Sequence, residues 1–179
     1  MAIFRITDSS IEKIDETTFA REKLLERKDL QKRLKANISV LSPDLMVVDE
    51  EFGDWEDSSR RIDLLCLDKD AHLVVVELKR TEDGGHMELQ AVRYAAMVSS
   101  MTFDQLVAAH AHFLGCENSE KAEAAILNFL TVESPGEAKL SDEVRIILVS
   151  ADFSIELTTT VLWLNKFGPR HHLHSPEAV

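Results

Sequence analysis

The chain has 179 residues and a mass of 20.2 kDa, with 45% hydrophobic and 29% charged residues, enough apolar material for one globular domain with a substantial core. Twenty basic residues against 32 acidic ones leave a formal charge of −12, which excludes broad electrostatic attraction to nucleic acid. No window approaches the apolar run of a membrane span, and Met1-Ala2-Ile3-Phe4-Arg5 lacks the order of a secretory signal, so a cytoplasmic location with no membrane partner is expected.

Residues 2–6 read as a short strand, followed by the turn chemistry of Thr7-Asp8-Ser9-Ser10. From 21 to 37 the pattern is helical: Leu30 and Leu34 share a face, and Glu26, four residues before Leu30, falls on it too. Charged residues fill the rest, including Arg27-Lys28, Lys32-Arg33 and Lys35. Such a stretch is ordinarily a solvated helix face and is here also a candidate track for a DNA backbone. Ser42-Pro43-Asp44 breaks the helix, and Leu45-Met46-Val47-Val48 begins a strand that runs into an acidic segment ending at Ser58-Ser59. Residues 41–90 carry a net −9, against +2 for 1–40 and −5 for 91–179. An acidic solvated face is the plain reading, but clustered carboxylates are also what a hard divalent cation requires.

Two strands follow, Arg61 to Leu67 and Leu73 to Lys79, joined by Asp68-Lys69-Asp70. The consecutive Val74-Val75-Val76 predicts a strand covered on both faces, central in a mixed sheet. After Gly84-Gly85 a second helix places Met87, Ala91, Tyr94, Val98 and Met101 on its packed face together with Gln90. Thr102 with Gln105 predicts a capping box opening a third helix that ends near Gly115, and a fourth spans about 119–130. Val144 to Val149 is a β-type run, and Asp152 or Ser154 opens a last helix through Trp163 that stops at Gly168-Pro169. Cys66 and Cys116 stand alone, so neither a disulfide framework nor a structural zinc site is indicated, and both thiols are expected to be reduced and buried. The class is α/β.

The chemistry concentrates in the hairpin. Asp63 lies near the start of one strand and Glu77 near the end of the other, which makes them antiparallel neighbours, and Lys79 falls on the same side as Glu77. Glu77 and Lys79 alone could be a strand-end ion pair. The second carboxylate changes that, because like charges held close repel unless a cation lies between them. An all-oxygen set suits Mg²⁺ better than zinc, and the Leu78 carbonyl could add a further oxygen. The lysine would orient an attacking water or steady charge developing on a phosphate. For Glu26 and Gln90 the default is an ordinary helix surface, and for Tyr94 a core ring with a bonded hydroxyl. Arg60 and Arg61 could meet phosphate or simply balance Asp57 and Asp63.

Asp63 followed by Glu77-Leu78-Lys79 resembles the PD-(D/E)xK nuclease superfamily, with Ile62-Asp63 where the name expects Pro-Asp. Within it the chain is similar to the catalytic domain of NucS-type mismatch endonucleases and related nuclease-like proteins, over roughly Glu26 to Met101 with an echo from Val144 to Trp163. The resemblance implies a restriction-endonuclease-like mixed central sheet flanked by helices, and a DNA-repair hydrolase cleaving phosphodiesters with Mg²⁺ or Mn²⁺. It assigns Glu26, Asp63 and Glu77 to the metal, Lys79 to catalysis, and Gln90 and Tyr94 to the active-site neighbourhood. The separate N-terminal DNA-binding domain of those enzymes is expected to have no counterpart here, so mismatch specificity is not expected to carry over. A catalytically silent nucleic-acid- or protein-binding module on the same fold is the alternative. A lone copy of this size would nick one strand, and double-strand cleavage would imply a homodimer.

Residues 1–168 are expected to form the single nuclease-like domain. His171-His172-Leu173-His174 has the histidine density of a metal-binding tract, but apolar periodicity is lost after Gly168, where a crossover helix should deliver another strand. Read one base forward with permitted codons, Pro169 to Val179 yields a β-type run, so 169–179 is expected to be a frameshifted or disordered tail.

Overall fold

The computed structural model describes residues 3–18, 21–22, 27–53, 61–79, 87–116, 119–166 and 171–174. Strands β1 (Ile3–Ile6) and β2 (Ile11–Ile14) form an antiparallel hairpin of their own, closed by Thr7 and Ser10. Its second strand was not legible in the sequence, because Ile11-Glu12-Lys13-Ile14 carries only two apolar residues, at its ends. Then come α1 (Arg27–Ala36), a 3₁₀ turn at Ile38–Val40, β3 (Leu45–Phe52), β4 (Ile62–Asp68) and β5 (Leu73–Lys79). Helices α2 (Met87–Val98), α3 (Phe103–Phe113) and α4 (Glu120–Leu130) lead to β6 (Val144–Ser150), α5 (Ile155–Leu164) and β7 (His171–His174). The first helix is described only from Arg27; Glu26 lies outside the described residues, as do Arg60, Gly84 and Gly85.

The main sheet runs β3-β4-β5-β6-β7, antiparallel from β3 to β5 and parallel from β5 to β7. This is the mixed, helix-flanked sheet that the resemblance implies. The apolar run of β5 does put it at the centre: every residue of β4 is buried, and every residue of β5 but Lys79. Leu64, Cys66, Val74, Val76 and Leu78 face α1 through Leu30 and Leu34. Leu65, Leu67, Leu73 and Val75 face Tyr94, Val98 and the residues of α3 and α4. A third group, Ala91, Ile146, Leu148, Leu157 and Val161, joins α2 and α5 over β6. Two helices on one face after parallel crossovers are what a right-handed connection rule requires.

The Thr102–Gln105 capping box opens α3 as expected, and the Ser154 side chain caps α5 at Leu157 N–H. Gly115 takes φ +62° just past α3, the left-handed position that glycine fills without strain. Cys66 is buried, which pushes its thiol pKa up, whereas Cys116 is only half-buried beyond α3. His171–His174 takes the edge place beside β6, in register from Ile146↔His171 to Val149↔His174. Ladder bonds are made by the backbone, so an edge strand needs no apolar alternation to form; residues 169–170 and 175–179 lie outside the described residues.

Candidate active site

Strands β4 and β5 pair through Leu64↔Val76 as the last rung before the open end of the hairpin. One step further along that register, Asp63 stands opposite Glu77. Cross-strand neighbours sit about 4.5–5.5 Å apart at Cβ. With side chains alternating, Asp63, Glu77 and Lys79 project to the face shared by Leu65, Val75 and α2, while Leu64, Val76 and Leu78 face α1.

Both carboxylates are buried, Asp63 at 0% and Glu77 at 1% exposure. The Asp63 carboxylate accepts the Leu78 N–H at 2.7 Å, so a side chain bridges the two strands where the ladder ends. N–H and C=O of one strand residue project toward the same neighbouring strand, so the Leu78 carbonyl also opens toward β4. Glu77 accepts from Gln90 Nε2 at 3.3 Å, and the same amide lies 3.2 Å from the Tyr94 hydroxyl. Gln90 and Tyr94 are one helical turn apart on α2, which is how one amide reaches both. Tyr94 is buried, and its ring packs in the core. Lys79 ends β5 half-buried, at the rim of this cluster.

The structure therefore brings Asp63, Glu77, Leu78, Gln90 and Tyr94 to one end of the hairpin, with Lys79 at its edge. Sequence reasoning missed one residue of the group. Gln31 on α1 is 4% exposed, and its Nε2 donates to the Asp63 main-chain carbonyl at 3.1 Å, while its Oε1 is buried without a hydrogen-bond partner. The signal was its place beside Leu30, obscured by the neighbouring Lys32-Arg33.

The basic helix face is partly spoken for. Lys28, Lys32 and Arg33 are exposed, but Lys35 bonds Glu50 Oε1 at 2.6 Å and lies 5.7 Å above the Phe113 ring. Arg61 donates to the carbonyls of Glu51 (3.3 Å) and Gly53 (3.4 Å), tying down the end of β3.

Among the described residues, one cluster has three metal-capable side chains with ligand atoms within 4.8 Å of one another: Asp68, Asp70 and His72, at the turn end of the same hairpin. Asp68 is already committed there. It accepts the N–H groups of Asp70 (3.0 Å) and His72 (2.9 Å), lies 3.1 Å from His72 Nδ1, and takes Arg145 Nη1 at 2.6 Å. Burial raises its pKa, but the Arg145 and His72 interactions outweigh that and hold it below the ordinary value. Arg145 supplies the positive charge that a cation would bring, so this cluster is a turn lock.

Neither the protein-family models nor the curated proteins include a match to this chain. Among solved structures it is similar to a repair endonuclease from Pyrococcus abyssi, at 19% identity and a TM-score of 0.44 over 93% of this chain. It is likewise similar to the protein of an EndoMS–dsDNA complex, at 18% identity and a TM-score of 0.45 over 97% of this chain. The chain spans half the length of each, 50% in both cases.

Proposed function

We propose that this chain is a divalent-metal-dependent DNA endonuclease that hydrolyses phosphodiester bonds. The observation that carries the proposal is the juxtaposition of two buried carboxylates, Asp63 and Glu77, at the open end of one hairpin, with Lys79 two residues on and Gln90 bonded to Glu77. The donor set fits a hard cation: two carboxylates with the Leu78 carbonyl directed to the same gap, all oxygen, and no thiol or imidazole among these groups. The resemblance adds Glu26 to the set, a residue outside the described ones; in α1, Gln31 donates to the Asp63 carbonyl. Bound there, Mg²⁺ or Mn²⁺ would supply Lewis-acid polarisation of a phosphoryl oxygen and a water of lowered pKa.

The chain's own residues do the positioning. Leu78 N–H fixes one oxygen of Asp63, Gln90 fixes one oxygen of Glu77, and Tyr94 steadies Gln90. Orientation of this kind, by groups behind the ligands, is what keeps a metal site in working geometry. Lys79, at the rim, would orient the attacking water or face the negative charge that grows on the phosphate in the transition state. DNA would be held by local positive charge, Lys28, Lys32 and Arg33 on the exposed face of α1, against an acidic whole.

Incubation of the purified protein with supercoiled plasmid and with branched or mismatched duplexes tests this, in Mg²⁺, Mn²⁺ or chelator and beside Lys79→Ala. Metal-dependent cleavage that is lost in Lys79→Ala supports the proposal. A folded protein that cuts none of these substrates overturns it and leaves the silent binding module.

A further inference from the structure

A bulge in β3 puts one acid on a face that plain alternation would deny it. Val47 stands opposite Cys66, and Asp49, rather than Val48, stands opposite Leu65. The extra residue carries Asp49 to the Leu65 face, toward α3, while Glu50 turns to α1 and meets Lys35. Asp49 is 6% exposed, with little around it to hold its charge. Its Oδ1 accepts the Glu50 N–H at 2.8 Å, and His112 Nδ1 lies 3.8 Å from Oδ2, beyond hydrogen-bond reach. Burial is the largest influence on this carboxyl and pushes its pKa up. Arg61 does not compensate it. That residue falls one step beyond the Phe52↔Ile62 rung, about 13 Å along the strand from Asp49, and its Nη1 donates to the Glu51 and Gly53 carbonyls.

Asp49 lines a cleft of about 600 Å³ between the end of β3, the last turn of α2 and one stripe of α3. That volume lies within the range of small-molecule sites, about 300–1,000 Å³. Along α3 the stripe is Gln105, Ala108, Ala109 and His112, spaced three and four apart, and its two alanines leave the room. Across from them Phe52, Met97 and Met101 give an apolar wall. A ring with two thioethers suits a flat aromatic body, which each of the three contacts favourably. Glu51, also in the lining, takes φ +53°, a left-handed conformation that non-glycine residues rarely adopt and that recurs where a backbone clamps a ligand.

We propose that this cleft binds a small organic cation with a flat aromatic body, its charged end on Asp49 Oδ2 and its ring against Phe52 and the two methionines. A cation donating to Oδ2 supplies what the buried carboxylate lacks, a charge-assisted hydrogen bond out of reach of bulk water. An anion would meet Asp49 and Glu51, with the Arg61 guanidinium already engaged by two carbonyls. A neutral molecule of the same shape would fill the apolar wall and leave the carboxylate as it was. The proposal does not rest on the nuclease reading, which uses none of these residues.

Calorimetric titration of the full chain with two probes, benzamidine and naphthylmethylammonium, is the test, beside naphthylmethanol and naphthoate as neutral and anionic counterparts. At least one of the two cations is expected to bind one per chain with a dissociation constant below about 1 mM, naphthylmethanol about tenfold or more weaker, and naphthoate not measurably. Asp49→Asn should weaken the cation about tenfold or more, the loss of one charge-assisted hydrogen bond. Ala108→Trp fills the cleft from an exposed position on α3 and should weaken it as much with the carboxylate intact. Circular dichroism would confirm that both variants are folded. Two cations that do not bind, an anion that binds as well as they do, or cation binding that survives both variants and so lies elsewhere on this acidic chain, overturns the proposal.

Discussion

The two ends of the β4–β5 hairpin carry similar groups to opposite effect. At the turn end the buried carboxylate of Asp68 receives two main-chain N–H groups, His72 and the guanidinium of Arg145. That end also holds Ala71 at φ +61°, a left-handed conformation costing about 1–2 kcal/mol, inside the loop that Asp68 closes. At the open end Asp63 and Glu77 take an amide N–H and a glutamine side chain, and a lysine stands at the rim. A carboxylate given a guanidinium partner is spent on stability. At the open end the two carboxylates are oriented by Leu78 N–H and by Gln90, and in the proposed function they would be the ligands of a cation. On the proposed function, that difference would separate a structural acid from a metal-binding one.

That contrast breaks most readily at the open end. Lys79→Ala is expected to lower metal-dependent cleavage about 10²- to 10³-fold, in line with removal of one group that stabilises transition-state charge, while the melting temperature stays near that of the wild type. Glu77→Gln should abolish calorimetrically detected Mn²⁺ binding and leave the fold as stable or more so, since it removes one of two repelling charges. A Glu77→Gln protein that unfolds would place this end in the structural class with Asp68.

At the turn end the expected effect is on folding. Asp68→Ala leaves the half-buried Arg145 without its carboxylate, a loss of about 2 kcal/mol for a charge-assisted hydrogen bond, measured by denaturant unfolding. Cleavage per folded molecule should be unchanged. A drop in cleavage larger than the drop in folded fraction would instead make the turn end part of the site.

Gln90→Ala comes next. An outer partner of a metal ligand typically contributes about ten- to a hundredfold in metal affinity, so Mn²⁺ titrations should weaken by that much while Tyr94→Phe, which keeps the Glu77 contact, changes them less. Equal loss in both variants would mean that the Tyr94 hydroxyl, rather than the Glu77 bond, is what holds Gln90.

Acid and base act on the two structural aspartates in opposite directions. The folded pKa of Asp68 lies below its ordinary 3.8, so as pH falls the unfolded chain takes up that proton first. Its stabilisation is full above the ordinary value and is lost as pH drops through the folded one. Asp49, beside the Val47/Asp49 bulge of β3, is the reverse: burial outweighs the Glu50 N–H and His112, and its pKa is raised from 3.8. The unfolded chain then releases that proton first as pH rises, and stability is lost as pH climbs from the ordinary value through the folded one. Asp68→Asn should therefore cost stability at pH 7 but little at the acid end, and Asp49→Asn should gain stability at pH 7 relative to the acid end. Urea midpoints at both pH extremes measure this, and a common sign for the two variants would contradict it.

Much of the fold was visible along the chain because its signals are local. Alternation, the Val74–Val76 run and the Thr102–Gln105 box each act within a few residues, and strand and helix formed there. The β4–β5 register was equally visible, because a short turn fixes the pairing between its two arms. What stayed hidden depends on distant partners. The role of Asp68 is set by Arg145, 77 residues away, and β7 forms through backbone bonds that leave no trace in side-chain polarity. Composition there suggested a tail, and resequencing the gene across codons 169–179 would decide whether those residues are the encoded ones.

Gln31 is where a local signal misled, and it yields the smallest of the expected effects. Flanked by basic residues on α1, it looked solvated, yet α1 lies with Leu30 and Leu34 against β4 and β5, which carries Gln31 under the helix and onto the Asp63 carbonyl. Gln31→Leu keeps the apolar contact and removes that bond. The expected loss is about 1 kcal/mol of stability, with a several-fold fall in cleavage as Asp63 loses its tether. Gln31→Glu separates the two contributions, because it keeps the length of the side chain but presents a carboxylate to a carbonyl and adds charge beside Asp63. If it lowers cleavage more than Gln31→Leu at similar stability, Gln31 acts on the charge balance of the site. Equal effects of both would mean that it serves only to seat α1 on the sheet.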